Sequence, residues 1–286
     1  MRLTGAELVE SREILPGTWL QSWHAPAIVS GARAGQYVHV RTTEAGGLLL
    51  RRPYPIATAD LASGTLTIQV GSGAAGAVAW SRALRPGDRA DIAGPLGRPF
   101  EMDPRSRHLL LVTEGAAIAS LRLLIDEAVR DARSVVLLYG TSTASQVYPS
   151  SLLPDEVEYV VATADGTLGH RGSIAGLVTG YEAWADQGFA AGSPELLGSV
   201  ARLAAGRRQR LGVATLGRKR GGGRPPVAGS PEARRKSFLQ VAVEQTAACA
   251  GGTCGACAIM GSSGATQRAC REGPVFAAGE LDWGQE

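Results

Sequence analysis

Four cysteines, all that the chain has, stand in the spacing C-x4-C-x2-C-x12-C as Cys249, Cys254, Cys257 and Cys270. That is the plant-type spacing of a [2Fe–2S] cluster, which needs four converging thiolates and backbone amides free to donate to sulfur. Gly251, Gly252 and Gly255 suit a loop that wraps closely and visits positive φ. Ala250, Thr253 and Ala256 are small enough to leave room for the inorganic core. Two other readings stay open. Structural zinc prefers two short Cys pairs, but here only Cys254 and Cys257 are so close, and two disulfides would need an oxidising compartment.

The remaining chain must hold this loop and supply its redox partners. Up to about residue 100 the sequence shows short apolar runs separated by turns, among them WLQSWHAPAI, GQYVHVRT, LLLRRPYPIATA and GTLTIQVGSG. Such spacing predicts an antiparallel barrel or sandwich. From His108 the pattern changes to HLLLVTEG, AIASLRLLIDEAVRDA, SVVLLYGTST, VEYVVATADG and PELLGSVARLAAG. Strand and helix alternate there, which predicts a doubly wound parallel sheet. The expected class is α/β plus β-barrel, with a barrel over 1–103, an α/β domain over 104–205, a basic Gly/Pro-rich linker over 206–237 and a cluster module over 238–286.

With 44% hydrophobic, 19% charged and 38 glycine residues in 286, the composition is that of a globular chain long enough for two ordinary domains and a small appendage. The segment 206–236 holds ten of the 29 Lys and Arg but only Glu232 of the 26 acidic residues. It has Gly221 to Gly223, Pro225 and Pro226 and no aromatic residue for base stacking, so a linker is expected rather than a nucleic-acid surface. The apolar stretch LLLVTEGAAIASLRLL is interrupted by Glu114 and Arg122, and no secretory signal is read at the N-terminus. No membrane association and a cytoplasmic location are expected. His24, His39, His108 and His170 are scattered and read as structural or surface residues.

The order of barrel, doubly wound domain and C-terminal cysteines resembles the electron-transfer subunits of NAD-dependent dihydroorotate dehydrogenase, a branch of the ferredoxin-reductase superfamily. The most specific segment runs from Val243 to Phe276, where VEQTAACAGGTCGAC and RACREGPVF are similar to that family's cluster loop and its closure. The resemblance implies FAD on Arg52, Pro53, Tyr54 and Pro55, with Arg52 at the pyrophosphate, Tyr54 near the flavin and Pro55 in place of a serine that faces the ring. It further implies Gln69, Val70, Gly71 and Gly76, with Gly73, as the second flavin strand and phosphate loop, and Gly94 in the Gly94-Pro95-Leu96-Gly97 turn. For NAD it implies the helix-opening loop around Gly115, where Ala117 holds a glycine position and Glu114 adds a negative charge. The Asp165-Gly166-Thr167 segment and Gly192, beside Ala191 in a cysteine position, belong to the same expectation.

The function implied is an oxidoreductase subunit of pyrimidine biosynthesis. It would carry electrons between an FMN-containing catalytic partner, in a hetero-oligomer, and NAD through [2Fe–2S] and FAD, with no acid–base catalyst of its own. Two alternatives accompany it. One is the NAD(P)H-facing subunit of another flavin and iron–sulfur oxidoreductase, such as a ferredoxin:NADP oxidoreductase or sulfide dehydrogenase. The other is a cluster-bearing scaffold that no longer binds nucleotide.

Overall fold

The computed structural model describes residues 2–41, 51–71, 77–210, 229–244, 249 and 251–284. Gly73, Gly76, Ala250 and residues 211–228 of the basic segment lie outside the described residues.

The N-terminal runs form β1 (Arg2–Leu15), β2 (Thr18–His24), α1 (Pro26–Val29), β3 (Tyr37–Arg41), β4 (Arg52–Asp60), β5 (Thr65–Val70), α2 (Ala77–Ala83) and β6 (Arg89–Leu96). The strands close a barrel in the order β1-β2-β5-β4-β3-β6, every pairing antiparallel. Closure leaves no edge to cover, and alternate side chains such as Trp23, Val38, Ile56, Ile68 and Ile92 fill the interior.

The alternating half supplies β7 (His108–Glu114), α3 (Ala119–Arg130), β8 (Ser134–Thr141), β9 (Val157–Thr163), β10 (His170–Arg171), α4 (Val178–Tyr181), β11 (Gln187–Gly192) and α5 (Pro194–Arg210). The C-terminal part adds α6 (Pro231–Lys236), β12 (Leu239–Val243), β13 (Ala258–Met260), β14 (Thr266–Arg268), α7 (Ala269–Glu272) and β15 (Val275–Ala277). One sheet runs β10-β9-β8-β7-β11-β12-β15, parallel except for the antiparallel β15. Its centre is buried on both faces, which explains why β7 and β8 read as unbroken apolar runs. Strand order reverses between β7 and β11, so the crevice for a ligand opens beyond their C-terminal ends. The cysteine segment leaves this sheet at the end of β12 and returns to it through β15.

Barrel and C-terminal part are joined directly. The Arg98 N–H donates to Gly273 O (2.6 Å), and the Tyr37 hydroxyl donates to Cys270 O (3.3 Å). Gly97 lies at φ +80, and a Cβ there would overlap Pro274 Cδ and come within 2.9 Å of Tyr37 Cε1. Gly87 lies at φ +95 with open space around it. Gly97→Ala is therefore expected to destabilise the fold by about 2–3 kcal/mol, combining left-handed strain with overpacking, and Gly87→Ala by about 1 kcal/mol from strain alone. Chemical denaturation midpoints of the two variants give the comparison, and equal losses would mean that the Gly97–Pro274 contact yields freely.

The described residues hold no helix long and apolar enough to cross a membrane. Arg207 at the end of the α/β half donates to Glu182 O and Ala185 O and covers the Phe238 ring at 4.1 Å. Past the undescribed stretch the chain starts α6 with Ser230, whose hydroxyl accepts the Ala233 N–H (3.1 Å).

Candidate functional site

Among the described residues, two neighbouring cavities of several hundred Å³ lie between barrel and sheet. The smaller, about 530 Å³, is lined by the whole Arg52–Pro55 stretch, Gln69 and Gly71 from the barrel, and by Ala116, Ala117, Ala119 and Ser120 at the start of α3. Its far wall is Tyr37, Ala242, Val243, Glu244 and Pro274. The larger, about 740 Å³, opens over the C-terminal ends of β7 and β8 and includes Glu114, Gly115, Gly140, Thr141, Tyr139 and Ser173. Gln69, Gly71 and Ala116 line both cavities and form a shared wall. Both volumes fall within the range of about 300–1,000 Å³ usual for ligand sites.

The two barrel segments singled out in the sequence thus meet in one place. Arg52, Pro53, Tyr54 and Pro55 belong to β4, Gln69 and Val70 to β5, and these neighbours in the barrel deliver both to the cavity mouth. Val70 itself points into the barrel core, fully buried, and lines neither cavity. Gly94 is also interior, where a Cβ would come within 2.7 Å of Val38 Cγ1. Gln69 is buried with its Oε1 lacking a hydrogen-bond partner. An unpaired amide oxygen on a residue that lines both cavities calls for a donor, and the polar edge of a flavin ring would supply one. Nothing in the sequence singles out Tyr37, a position inside an ordinary alternating strand.

Gly115 opens a 3₁₀ turn at φ +49, where a Cβ would meet nothing within 4 Å. Glu114 does not stand free beside it. Its Oε1 accepts the Ser193 N–H (2.9 Å), which ties the end of β7 to the start of α5 across the strand-order reversal. At Gly192 a Cβ would lie 3.2 Å from that same oxygen and 2.8 Å from Leu196 Cδ2, so only glycine leaves this bond undisturbed.

The cysteines fall into two close pairs. The Cys254 N–H donates to Cys249 Sγ (3.5 Å) and the Cys270 N–H to Cys257 Sγ (3.4 Å). Among the described residues no three His, Cys, Asp or Glu side chains gather at a single-ion position. One tetrahedral zinc would draw all four sulfurs to about 2.3 Å from a common point, whereas two thiol pairs suit a centre with two irons. All four thiols are free. Amide donation from Cys254, then the Thr253 hydroxyl, lowers the Cys249 thiol to about 5, and burial, then Cys257, raises the Cys270 thiol to about 12. Gly252 and Gly255 take positive φ in the loop. Arg268, paired with Glu272 at 2.7 Å, donates to Gly252 O (3.3 Å) and holds the loop against α7. Burial, then the charge of the neighbouring sulfurs, raises the Tyr37 phenol well above its ordinary value.

Residues 244–282 match the family described as the iron–sulfur cluster binding domain of dihydroorotate dehydrogenase B. Over 281 residues, 96% of both chains, the protein is 27% identical to the dihydroorotate dehydrogenase B (NAD(+)) electron transfer subunit of Geobacillus thermodenitrificans. It is 29% identical to the same subunit of Bacillus caldolyticus over 254 residues, 86% of both chains. Among solved structures it resembles an NADH-dependent reduced ferredoxin-NADP oxidoreductase with a TM-score of 0.76, covering 98% of this chain and 90% of that one at 22% identity. A Neisseria gonorrhoeae ferredoxin NADP+ reductase with bound FAD and NADP aligns over 71% of this chain and 90% of its own at 16% identity, TM-score 0.56. Fold, cysteine segment and sequence agree: the chain is similar over most of its length to the dihydroorotate dehydrogenase B electron-transfer subunits, has a ferredoxin-reductase fold, and at residues 244–282 matches an iron–sulfur cluster binding domain.

Proposed function

We propose that the protein carries electrons between a catalytic flavoprotein subunit and a nicotinamide nucleotide, as the electron-transfer subunit of a dihydroorotate dehydrogenase. The observation that supports this best is the order of the sites. The larger cavity shares a wall with the smaller one, and the smaller one ends on Tyr37 and Pro274, of which Tyr37 is bonded to Cys270. When bound, FAD exchanges a hydride with nicotinamide and the cluster carries single electrons, so contact in this order is what the chemistry requires.

The residues have separate tasks. Arg52 would pair with the FAD diphosphate, Tyr54 and Pro53 would pack against the ring, and Gln69 would accept from its polar edge. Pro55 supplies neither hydroxyl nor N–H, which leaves Gln69 more of the polar contact. Tyr37 and Pro274 keep water out between the flavin cavity and the cysteine loop. Gly76 would add a phosphate-loop contact, and the two thiol pairs would each hold one iron of [2Fe–2S]. Gln69→Leu is expected to weaken FAD retention by about 0.5–1.5 kcal/mol, roughly a factor of 2 to 10 in the dissociation constant. Equilibrium dialysis checks this, and unchanged retention would remove Gln69 from the site.

A second reading draws on the likeness to the NADH-dependent ferredoxin-NADP oxidoreductase, in which the partner would act on another substrate. Anaerobic copurification separates the two. The first reading expects an FMN-containing partner and bleaching of the complex by dihydroorotate as well as by NADH. Bleaching by NADH but not by dihydroorotate would favour the second.

A further inference from the structure

Among the described residues lining the larger cavity, Glu114 is the sole charged one. Its position is fixed rather than adaptable. One oxygen is held by the Ser193 N–H at 2.9 Å, and the side chain is packed against Gly192. It also stands two residues before Ala116, part of the wall that separates this cavity from the smaller one. Resting on the reading that the smaller cavity holds flavin and the larger one the nicotinamide nucleotide, hydride exchange requires the two rings within about 3–3.5 Å. The nicotinamide ring must then lie at the wall of Gln69, Gly71 and Ala116, in the cavity that Glu114 also lines.

The oxidised nicotinamide ring carries a positive charge and the reduced ring carries none. We propose that Glu114 is a specificity-determining residue that makes this site prefer the oxidised nucleotide over the reduced one. A fixed carboxylate beside the ring attracts the cation and has no corresponding hold on the neutral form, and the interaction is strengthened where water is partly excluded. The same preference lowers the potential of the bound nicotinamide couple, by about 30 mV for each tenfold difference in affinity, so the bound reduced nucleotide becomes a stronger donor to the flavin. No proton or further reactant enters this account, because the charge acts on the two ligand states alone.

The test is equilibrium binding to the full-length holoprotein by anaerobic titration calorimetry. The ligands are NAD+ and 1,4,5,6-tetrahydro-NAD, a neutral ring that cannot give up hydride. Wild-type protein is expected to bind NAD+ at least about tenfold more tightly. Glu114→Gln keeps an oxygen for the Ser193 N–H and removes the charge, and it is expected to abolish most of that difference while thermal unfolding stays unchanged. Equal affinities in the wild type, or a Glu114→Gln variant that keeps the full difference, overturn the inference and leave Glu114 as a brace for α5. Wild-type protein that binds neither ligand overturns the nicotinamide reading and the inference together.

Discussion

Cys257→Ser is expected to yield a chain that retains little iron or acid-labile sulfide, with content down by about tenfold or more, because a serine oxygen is a poor substitute for a soft thiolate ligand. The sequence holds four cysteines and no fifth that could take over. Cys257 is buried, as is Cys270, whose N–H it receives at 3.4 Å, so a ligand recruited from solvent has no route to the vacated position. The rest of the fold is expected to persist. Phe276 and Leu281 pack in one buried cluster with Leu239 and Val241 of β12 and Leu196, Leu197 and Val200 of α5, a cluster in which Cys257 and Cys270 are only two members. Iron and sulfide assays on protein purified without oxygen, alongside circular dichroism, measure both parts. Full iron and sulfide content in the variant would remove Cys257 from the ligand set.

Glu101→Ala is expected to be the most destabilising substitution outside the cluster, at about 3–5 kcal/mol, because it strips the counter-charge from a buried arginine. Glu101 lies between barrel and sheet at 4% exposure and faces Arg33 (3.3 Å), Arg235 (3.4 Å) and Arg234 (3.9 Å). Arg33 and Arg235 are about half exposed, so solvent can take over their charges. Arg234 is 2% exposed, and burial, then the nearby Arg98 charge, already pulls its pKa below the ordinary arginine value. Without Glu101, what Arg234 keeps among the described residues is the Gly229 carbonyl at 2.8 Å and the more distant charge of Glu280. The backbone of Glu101 is independently held, its N–H by Gln240 Oε1 (2.9 Å) and its carbonyl by Gln240 and Gln187 Nε2, so the loss reports charge rather than unfolding of the junction. Urea denaturation of the variant checks the figure. A loss below about 1 kcal/mol would mean that water reaches Arg234.

The cysteine loop was legible because metal chemistry restricts both residue type and spacing, and all four cysteines lie within one short stretch. The barrel and the parallel sheet were legible from the change in period at His108, since each period matches one way of burying a face. The long-range pairings left no such mark. That β12 and β15 extend the sheet of β7 to β11 follows from pairing between distant segments, as does the approach of Tyr37 to Cys270. Glu114 illustrates the same limit. Read in sequence it is a free negative charge near a phosphate loop, whereas its carboxylate is engaged by a backbone N–H from beyond β11. Glu101 is one of two acidic residues in PFEMDP, and only the folded chain surrounds it with three arginines.

The proposed electron-transfer role requires flavin and a two-iron cluster in contact order within one chain. Its most direct test is the metal, sulfide and flavin content of the anaerobically purified full-length protein, read with its visible spectrum before and after NADH. About two iron, two sulfide and one FAD per chain are expected, with both flavin and cluster absorbance bleached by NADH. Zinc in place of iron, or protein without flavin that cannot be reconstituted with FAD, would contradict it.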